Sequence, residues 1–147
     1  MIPNFFDDQF LPDGDYEATW IEVQERFGSG QTRKDLCEQM SKFIQIAKCC
    51  GFRAVYLFGS FISGKDNPND IDLMWVYRQE TFESLRPGCR ELLNYETMKS
   101  RWHWDMFCCS DDQTIIEYLL TGFRKSKTGT KRGIIKIDLE RYEGLIL

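Results

Sequence analysis

Two aspartates separated by one residue, Asp70 and Asp72, open an apolar segment that is typical of a β-strand. Side chains at positions i and i+2 of a strand point to the same face of the sheet. Two carboxylates placed in this way can hold a divalent cation such as Mg²⁺, which prefers oxygen ligands and keeps water or substrate phosphates in its other positions. The intervening Ile71 is expected to pack into the core. An isolated Asp-x-Asp is more typical of a solvent-facing strand edge, so its interpretation as a metal site depends on the surrounding sequence.

A Gly-Ser turn precedes this pair. Gly59 and Ser60 follow the apolar segment 54–58, which reads as a strand. Glycine lets the backbone approach a ligand closely, and serine can cap a following helical turn. The N–H groups at such a turn can face anionic phosphates. Lys65, in the loop that follows, could reach a phosphate, and the alternative is an ordinary exposed loop lysine.

A third carboxylate, Asp105, lies within the predicted strand 102–109, among tryptophan, methionine and phenylalanine side chains. A carboxylate in such a setting is costly to bury without a partner. A metal ion shared with Asp70 and Asp72 would supply one. The alternatives are an ion pair with an arginine or lysine, or an edge-strand position that faces water.

The order of these elements resembles the nucleotidyltransferase superfamily typified by DNA polymerase β, and above all its minimal members. The shared pattern is an apolar strand, Gly-Ser, a spacer, Asp-x-Asp and a later strand carboxylate. It is matched here by Gly59-Ser60, Asp70-Ile71-Asp72 and Asp105, and the resemblance covers residues 54–109. It implies a nucleotidyltransferase-like fold and a two-metal transfer of a nucleoside monophosphate.

The resemblance also implies roles for individual residues. The catalytic and metal-binding residues would be Asp70, Asp72 and Asp105, with two Mg²⁺ ions as cofactor, and the nucleotide-binding residues would be Gly59, Ser60 and Lys65. The substrate would be ATP or another nucleoside triphosphate. Minimal members often act as the antitoxin partner of a toxin and modify a hydroxyl group on it, which implies transfer of AMP to a toxin-like protein partner.

Two other functions stay open. The chain could be a catalytically weak module that binds a nucleotide or a partner through the same fold. It could also transfer a nucleotide to RNA, which the net charge of −4 disfavours. ATP hydrolysis of the P-loop type is disfavoured because Gly-x-x-x-x-Gly-Lys-Ser/Thr is absent. Lys131 and Arg132 could contact phosphate or acceptor, although a solvated loop is the simpler interpretation, and the single histidine, His103, is expected to be structural or exposed.

The 147 residues are expected to form one domain of a cytoplasmic protein. We find neither a signal peptide nor a segment that could cross a membrane. The six cysteines are expected to be thiols in that compartment.

The predicted architecture is a small mixed α/β (α+β) sheet with flanking helices. It is divided into an extended N-terminal arm (1–14), a helical region (15–51), a catalytic core (52–109) and a final segment with a helix, a basic loop and the last strand (110–147). The individual predictions are helices over 15–26, 32–50, 81–85, 89–100 and 111–123, and strands over 53–58, 71–77, 102–109 and 134–139. The tail to residue 147 is expected to pack on the domain.

Overall fold

Five strands and five α-helices are present in the part of the chain that the computed structural model describes, residues 1–7, 9–125 and 129–141. The strands are β1 (Asp15–Glu17), β2 (Ala54–Phe58), β3 (Asp72–Tyr77), β4 (Met106–Ser110) and β5 (Ile134–Asp138). The helices are α1 (Trp20–Phe27), α2 (Gln31–Cys49), α3 (Pro87–Arg90), α4 (Tyr95–Trp102) and α5 (Gln113–Arg124). Short 3₁₀ turns lie at Ser60–Ile62, Gln79–Ser84 and Glu91–Leu93.

The strands form one mixed sheet in the order β1-β5-β2-β3-β4. The central strand β2 is antiparallel to both neighbours, β5 and β3, whereas the outer pairs β1–β5 and β3–β4 are parallel. A parallel neighbour cannot be reached through a tight hairpin. The chain therefore crosses from β3 to β4 through residues 78–105, a segment that we call the crossover and that contains α3 and α4.

The sheet is covered on both faces because its strands are apolar on both sides. On one face, side chains such as Leu57 and Trp75 pack with α1, α2 and α4 in the larger core. On the other face, side chains such as Tyr56 and Met74 pack under α5. The predicted mixed sheet flanked by helices is thereby confirmed, and β2, β3 and β5 begin and end within one residue of their predicted bounds.

The predicted helix from Asp15 to Arg26 is wrong in its first part. Asp15 begins β1, which pairs in parallel with β5. The helix starts at Trp20 because Thr19 and Glu22 form a capping box, in which each side chain accepts a hydrogen bond from the other residue's backbone N–H. Such a reciprocal cap satisfies two N–H groups that a helix start otherwise leaves unpaired.

The crossover also differs from the prediction. The single helix expected over 89–100 is divided into α3, a 3₁₀ turn and α4, and Asn94 caps α4 by accepting a hydrogen bond from the Thr97 N–H. α4 therefore begins at Tyr95 and extends to Trp102, and His103, with φ of 63°, ends it. The strand expected from residue 102 therefore begins only at Met106. Asp105 lies immediately before the strand and not in its middle.

The expectation that all six cysteines are thiols is wrong for two of them. Cys50, at the end of α2, forms a disulfide with Cys89 of α3, with their Cα atoms 5.7 Å apart. The remaining four cysteines are free, and burial raises the pKa of the Cys37, Cys108 and Cys109 thiols to about 11. The disulfide forms because the end of α2 and the start of the crossover lie side by side, which cysteine spacing alone does not reveal.

The N-terminal arm contains neither helix nor strand in its described residues and contacts the domain, with Leu11 buried and the Phe5 ring 6.2 Å from that of Phe27. The predicted packing of the tail and the middle of the basic loop fall outside the described residues. Among the helices of the described ranges, none has the length and apolar character to cross a bilayer.

Candidate functional site

The turn after β2 needs glycine for two separate reasons. Gly59 has φ of 81°, a conformation that side chains with a Cβ rarely adopt. A Cβ built on Gly59 would also overlap the Asp72 carboxylate at Oδ2. The backbone of the Gly-Ser turn is therefore in direct contact with the second aspartate of the Asp-x-Asp pair.

Asp72 is the first residue of β3 and lies opposite Phe58, the last residue of β2, in the antiparallel ladder. Burial, together with the charges of Asp70 and Asp105 and against a lowering by Lys99, raises the pKa of its carboxyl to about 6. Among the described residues we find no hydrogen bond and no ion pair to the Asp72 carboxylate. This is a partly desolvated carboxylate that lacks a cation of its own.

Asp70 and Ile71 lead into β3. Ile71 is fully buried in the larger core, as expected, and Asp70 is half-buried. Within the described ranges the Asp70 carboxylate also has no ion-pair partner. The two carboxylates of the pair are therefore close enough to repel each other, since Asp70 contributes to the raised pKa of Asp72.

Asp105 stands beside Asp72 because of the strand register. β3 and β4 are parallel and Leu73 pairs with Met106, so the residues just before these two, Asp72 and Asp105, are neighbours at the same end of the sheet. The Leu73 N–H also donates to the Asp105 carbonyl over 3.4 Å. Asp105 lies just before β4 and not within the strand as predicted. The sheet nevertheless brings it next to Asp70 and Asp72.

The Asp105 side chain already has partners. Its Oδ1 accepts hydrogen bonds from Lys99 Nζ and from the Tyr95 hydroxyl, both at 2.9 Å. These bonds, that of Lys99 above all, hold the pKa of the Asp105 carboxyl below its ordinary value. In the same way the Asp105 carboxylate raises the pKa of Lys99 and of Tyr95. Lys99 thus places a positive charge among the three aspartates.

The described residues contain no group of three or more histidine, cysteine, aspartate or glutamate side chains arranged to hold a metal ion. Asp105 is paired with Lys99, while Asp70 and Asp72 have no described cation. Their oxygen donors suit Mg²⁺ chemically, and a third carboxylate becomes available if Lys99 leaves Asp105.

The loop after Gly59 holds the other two predicted nucleotide-binding residues. Ser60 begins the 3₁₀ turn, but its hydroxyl does not cap that turn; instead its carbonyl accepts from the Ser63 N–H at 3.1 Å and from the Ser63 hydroxyl at 2.6 Å. The Ser60 hydroxyl has no partner among the described residues. Lys65 is exposed, and only its backbone is held in place.

Arg33 of α2 is a contributor to this region that we did not predict from the sequence. Its guanidinium donates to the carbonyls of four residues: Phe27, Phe61, Ser63 and Lys65. One signal was available, because Arg33 continues the core-facing stripe of α2 that runs through Leu36 and Met40, where a charged residue is out of place. Tyr95 and Lys99 gave no comparable signal.

Four aromatic rings adjoin the aspartates. The ring of Phe58 is stacked on Phe123 at 4.1 Å, Phe123 lies 5.3 Å from Phe107, and Phe107 is stacked on Tyr95 at 5.5 Å. This stack links α5, β2, β4 and α4 on the face that carries Asp72. It connects β2 and β4, the strands on either side of β3, which begins with Asp72.

The other predicted candidates do not join the three aspartates. His103 is exposed and ends α4 in a left-handed conformation. The Arg132 guanidinium lies 3.4 Å above the Phe10 ring of the N-terminal arm, and Lys131 forms a backbone bridge with Lys125. These contacts connect the basic segment to the arm and to the end of α5.

Comparison with known proteins gives one match. No curated protein and no solved structure matches this chain. A family model described as "Family of unknown function (DUF6932)" matches residues 3–138. Because this match spans most of the 147 residues, the chain belongs to the family of unknown function DUF6932.

Proposed function

We propose that this protein is a Mg²⁺-dependent nucleotidyltransferase that moves a nucleoside monophosphate, AMP from ATP in the simplest case, to a hydroxyl group. The observation that carries the proposal is the position of Asp72. Its partly desolvated carboxylate lacks a described cation, touches the Gly59 backbone and adjoins Asp105 at the end of two parallel strands. An anionic site next to a Gly-Ser turn suits a cation that carries phosphates.

The donors present fit Mg²⁺. Asp70 and Asp72 would hold it, and Asp105 would join them once Lys99 moves away, since Lys99 is about half exposed and its stem is flexible. A bound ion would neutralise the charge that develops on the phosphates and leaving group.

The chain's own residues would orient the nucleotide. The Ser60 hydroxyl and the Lys65 ammonium, which lack described partners, would donate to its phosphates. The acceptor's hydroxyl oxygen would bond to the α-phosphorus, and the bond from that phosphorus to the bridging oxygen would break. Pyrophosphate would leave with the electron pair of that bond, and the hydroxyl proton would pass to solvent.

We further propose that the acceptor is a hydroxyl group on a toxin-like protein partner in the cytoplasm. The support is the resemblance to minimal nucleotidyltransferases, together with a net charge of −4 that disfavours an extended RNA-binding surface. RNA stays the alternative acceptor.

Mass spectrometry tests the proposal. The protein is incubated with Mg²⁺, each of the four nucleoside triphosphates and a protein encoded beside it, and the partner is examined for an added nucleotide mass. We expect the wild type to add one, Asp72→Asn to add none, and Asp66→Asn, an exposed aspartate of the same loop, to behave as the wild type. No added mass with any nucleotide, on protein or tRNA, would contradict the proposal.

A second candidate function, binding without catalysis, is favoured by the Lys99–Asp105 pair, which occupies the third carboxylate. In that case the neighbouring protein would bind equally well to the wild type and to the Asp70→Asn, Asp72→Asn and Asp105→Asn variants in calorimetry, with no nucleotide transferred. Loss of transfer in these variants with binding retained would instead support catalysis.

A further inference from the structure

The Arg33 guanidinium lies between α2 and the loop that follows Gly59, and its hydrogen bonds within the described residues all go to backbone carbonyls. Nη1 donates to the carbonyls of Phe27 at 3.0 Å and Phe61 at 2.6 Å, and Nη2 donates to those of Ser63 and Lys65, both at 2.8 Å. Three of these four acceptors belong to alternate residues of the loop 59–65. The loop therefore curves around a single side chain.

Arg33 keeps its positive charge in this position without a described carboxylate against it. The side chain is half-buried and its Cζ lies 5.5 Å from the Phe61 ring centroid. Burial lowers the pKa of Arg33, against smaller raising contributions from Cys37 and Asp66, and Asp66 forms no described ion pair with it. An arginine side chain remains protonated throughout the working range of proteins. This charge lies against the inner side of the loop, where the dipoles of the four carbonyls compensate part of it.

Other contacts hold the loop as well, because the Phe61 and Ile62 side chains are buried in the larger core. The Ser63 hydroxyl donates to the Ser60 carbonyl and the Gly64 N–H donates to the Gln9 carbonyl of the N-terminal arm. The first of these bonds is internal to the loop. Arg33 is thus the one described side chain that ties three loop carbonyls to a helix of the larger core.

We propose that Arg33 is a positioning residue: it sets the backbone curvature of the loop 59–65 and supplies positive potential, so that the loop can hold the polyphosphate of a nucleoside triphosphate. The phosphate part of this inference rests on the proposed function, whereas the anchoring part does not. Arg33 would act through the loop and not by touching the reacting atoms.

The geometry explains why arginine is required. A planar guanidinium presents donors along two edges and can serve four acceptors in one plane. A lysine ammonium has three donors on one atom, so Arg33→Lys would keep the charge but could not reach all four carbonyls. Arg33→Met would keep most of the apolar stem and lose both the charge and the hydrogen bonds.

Hydrogen exchange of the ligand-free protein tests the anchor. We expect Arg33→Met to speed exchange of amides 59–66 by at least about tenfold, because the opening of a loop that has lost charged hydrogen bonds becomes easier. Arg33→Lys should give an intermediate rate. Lys34→Met, at the neighbouring exposed position of α2, should match the wild type, and β5 amides should be unchanged in every variant. Unchanged exchange at 59–66 in Arg33→Met would overturn the inference.

Calorimetry with Mg²⁺–ATP and with tripolyphosphate tests the phosphate part. We expect both to bind Arg33→Met about tenfold more weakly than the wild type, with Arg33→Lys partly restored and Lys34→Met unchanged. In the transfer reaction, Arg33→Met should raise KM for the nucleotide far more than it lowers kcat. Faster exchange with unchanged affinity would overturn the phosphate role. A wild type that binds neither probe would overturn the proposed function, while faster exchange in Arg33→Met would still support the anchor.

Discussion

The Asp72 carboxylate lies against the backbone of Gly59, so that a methyl group at position 59 would overlap Asp72 Oδ2. Gly59 directly follows β2 and Asp72 begins β3, and these two strands are adjacent in the sheet and joined by one loop. We propose that the Gly59-Ser60 turn holds phosphate and that the Asp72 carboxylate holds a cation. These two groups are packed directly against each other. This contact makes position 59 sensitive to substitution even without any ligand.

Gly59→Ala should lower the free energy of unfolding by more than the roughly 1–2 kcal/mol that a left-handed backbone costs a residue with a Cβ. Gly30→Ala is the matched control, since Gly30 has φ of 89° and open space around it. The difference between the two variants in chemical denaturation isolates the overlap with Asp72. In an Asp72→Ala background that difference should disappear. Equal losses in the free energy of unfolding for Gly59→Ala and Gly30→Ala in the wild-type background would contradict the contact between Gly59 and Asp72.

Asp72→Asn should stabilise the protein at pH 7.5 and lose this advantage in acid. The folded-state pKa of about 6 lies above the ordinary value of 3.8, so the folded protein binds the proton more tightly than the unfolded chain. The contribution of Asp72 to wild-type stability therefore rises as pH falls through 6 toward 4, whereas the variant has no such gain. We expect the variant's melting temperature to exceed that of the wild type by a few degrees at pH 7.5 and to equal it near pH 4. Asp66→Asn is the control, and a variant that melts lower at pH 7.5 would contradict the raised pKa.

Lys99→Met should tighten the binding of Mg²⁺ or Mn²⁺ in the absence of nucleotide. Lys99 Nζ holds Asp105 Oδ1 at 2.9 Å, so a metal ion must compete with the ammonium group for this carboxylate. Because the pair is partly exposed, the gain should be modest, about threefold in Kd. Titration calorimetry measures it, with Lys42→Met on the exposed side of α2 as control. Weaker binding in Lys99→Met would mean that Lys99 orients Asp105 for the metal.

Reduction of the Cys50–Cys89 disulfide should lower the free energy of unfolding by about 2–4 kcal/mol, because the bond joins residues 39 positions apart and restricts the unfolded chain. The double variant Cys50→Ser/Cys89→Ser should melt at the temperature of the reduced wild type. Cys49→Ser, at the adjacent exposed cysteine, should leave the oxidised protein unchanged. Alkylation of the unfolded, non-reduced protein should label four cysteines; labelling of all six would refute the disulfide.

The elements that the sequence predicts well are those with a strong local pattern. β2 is an apolar run that ends at a Gly-Ser turn, and β3 is an apolar run that begins with an aspartate. α2 has a regular apolar stripe. The start of β4 was misplaced because aromatic residues 102 and 104 suit a strand as well as a helix end. Only the Asn94 cap and the left-handed His103 decide between them.

The side chains that complete the site were not predictable in this way. Arg33 bonds to residues about thirty positions away in sequence, and Lys99 reaches Asp105, six positions later, across the end of α4 at His103. Such contacts depend on how elements pack and leave no periodic pattern. Arg33 is the exception, because a charged side chain on the core-facing stripe of α2 is costly to bury without hydrogen-bond partners.

The candidate site has two parts. One forms across the loop between β2 and β3, and the other depends on the crossover from β3 to β4. Gly59 and Asp72 meet across one short loop, so their contact needs little loop closure and can form early in folding. Asp105 reaches them only after the crossover has been ordered, with Lys99 and Tyr95 carried on it. A change that loosened the crossover alone would therefore retain the contact between Gly59 and Asp72 and lose the placement of Asp105, Lys99 and Tyr95 beside it.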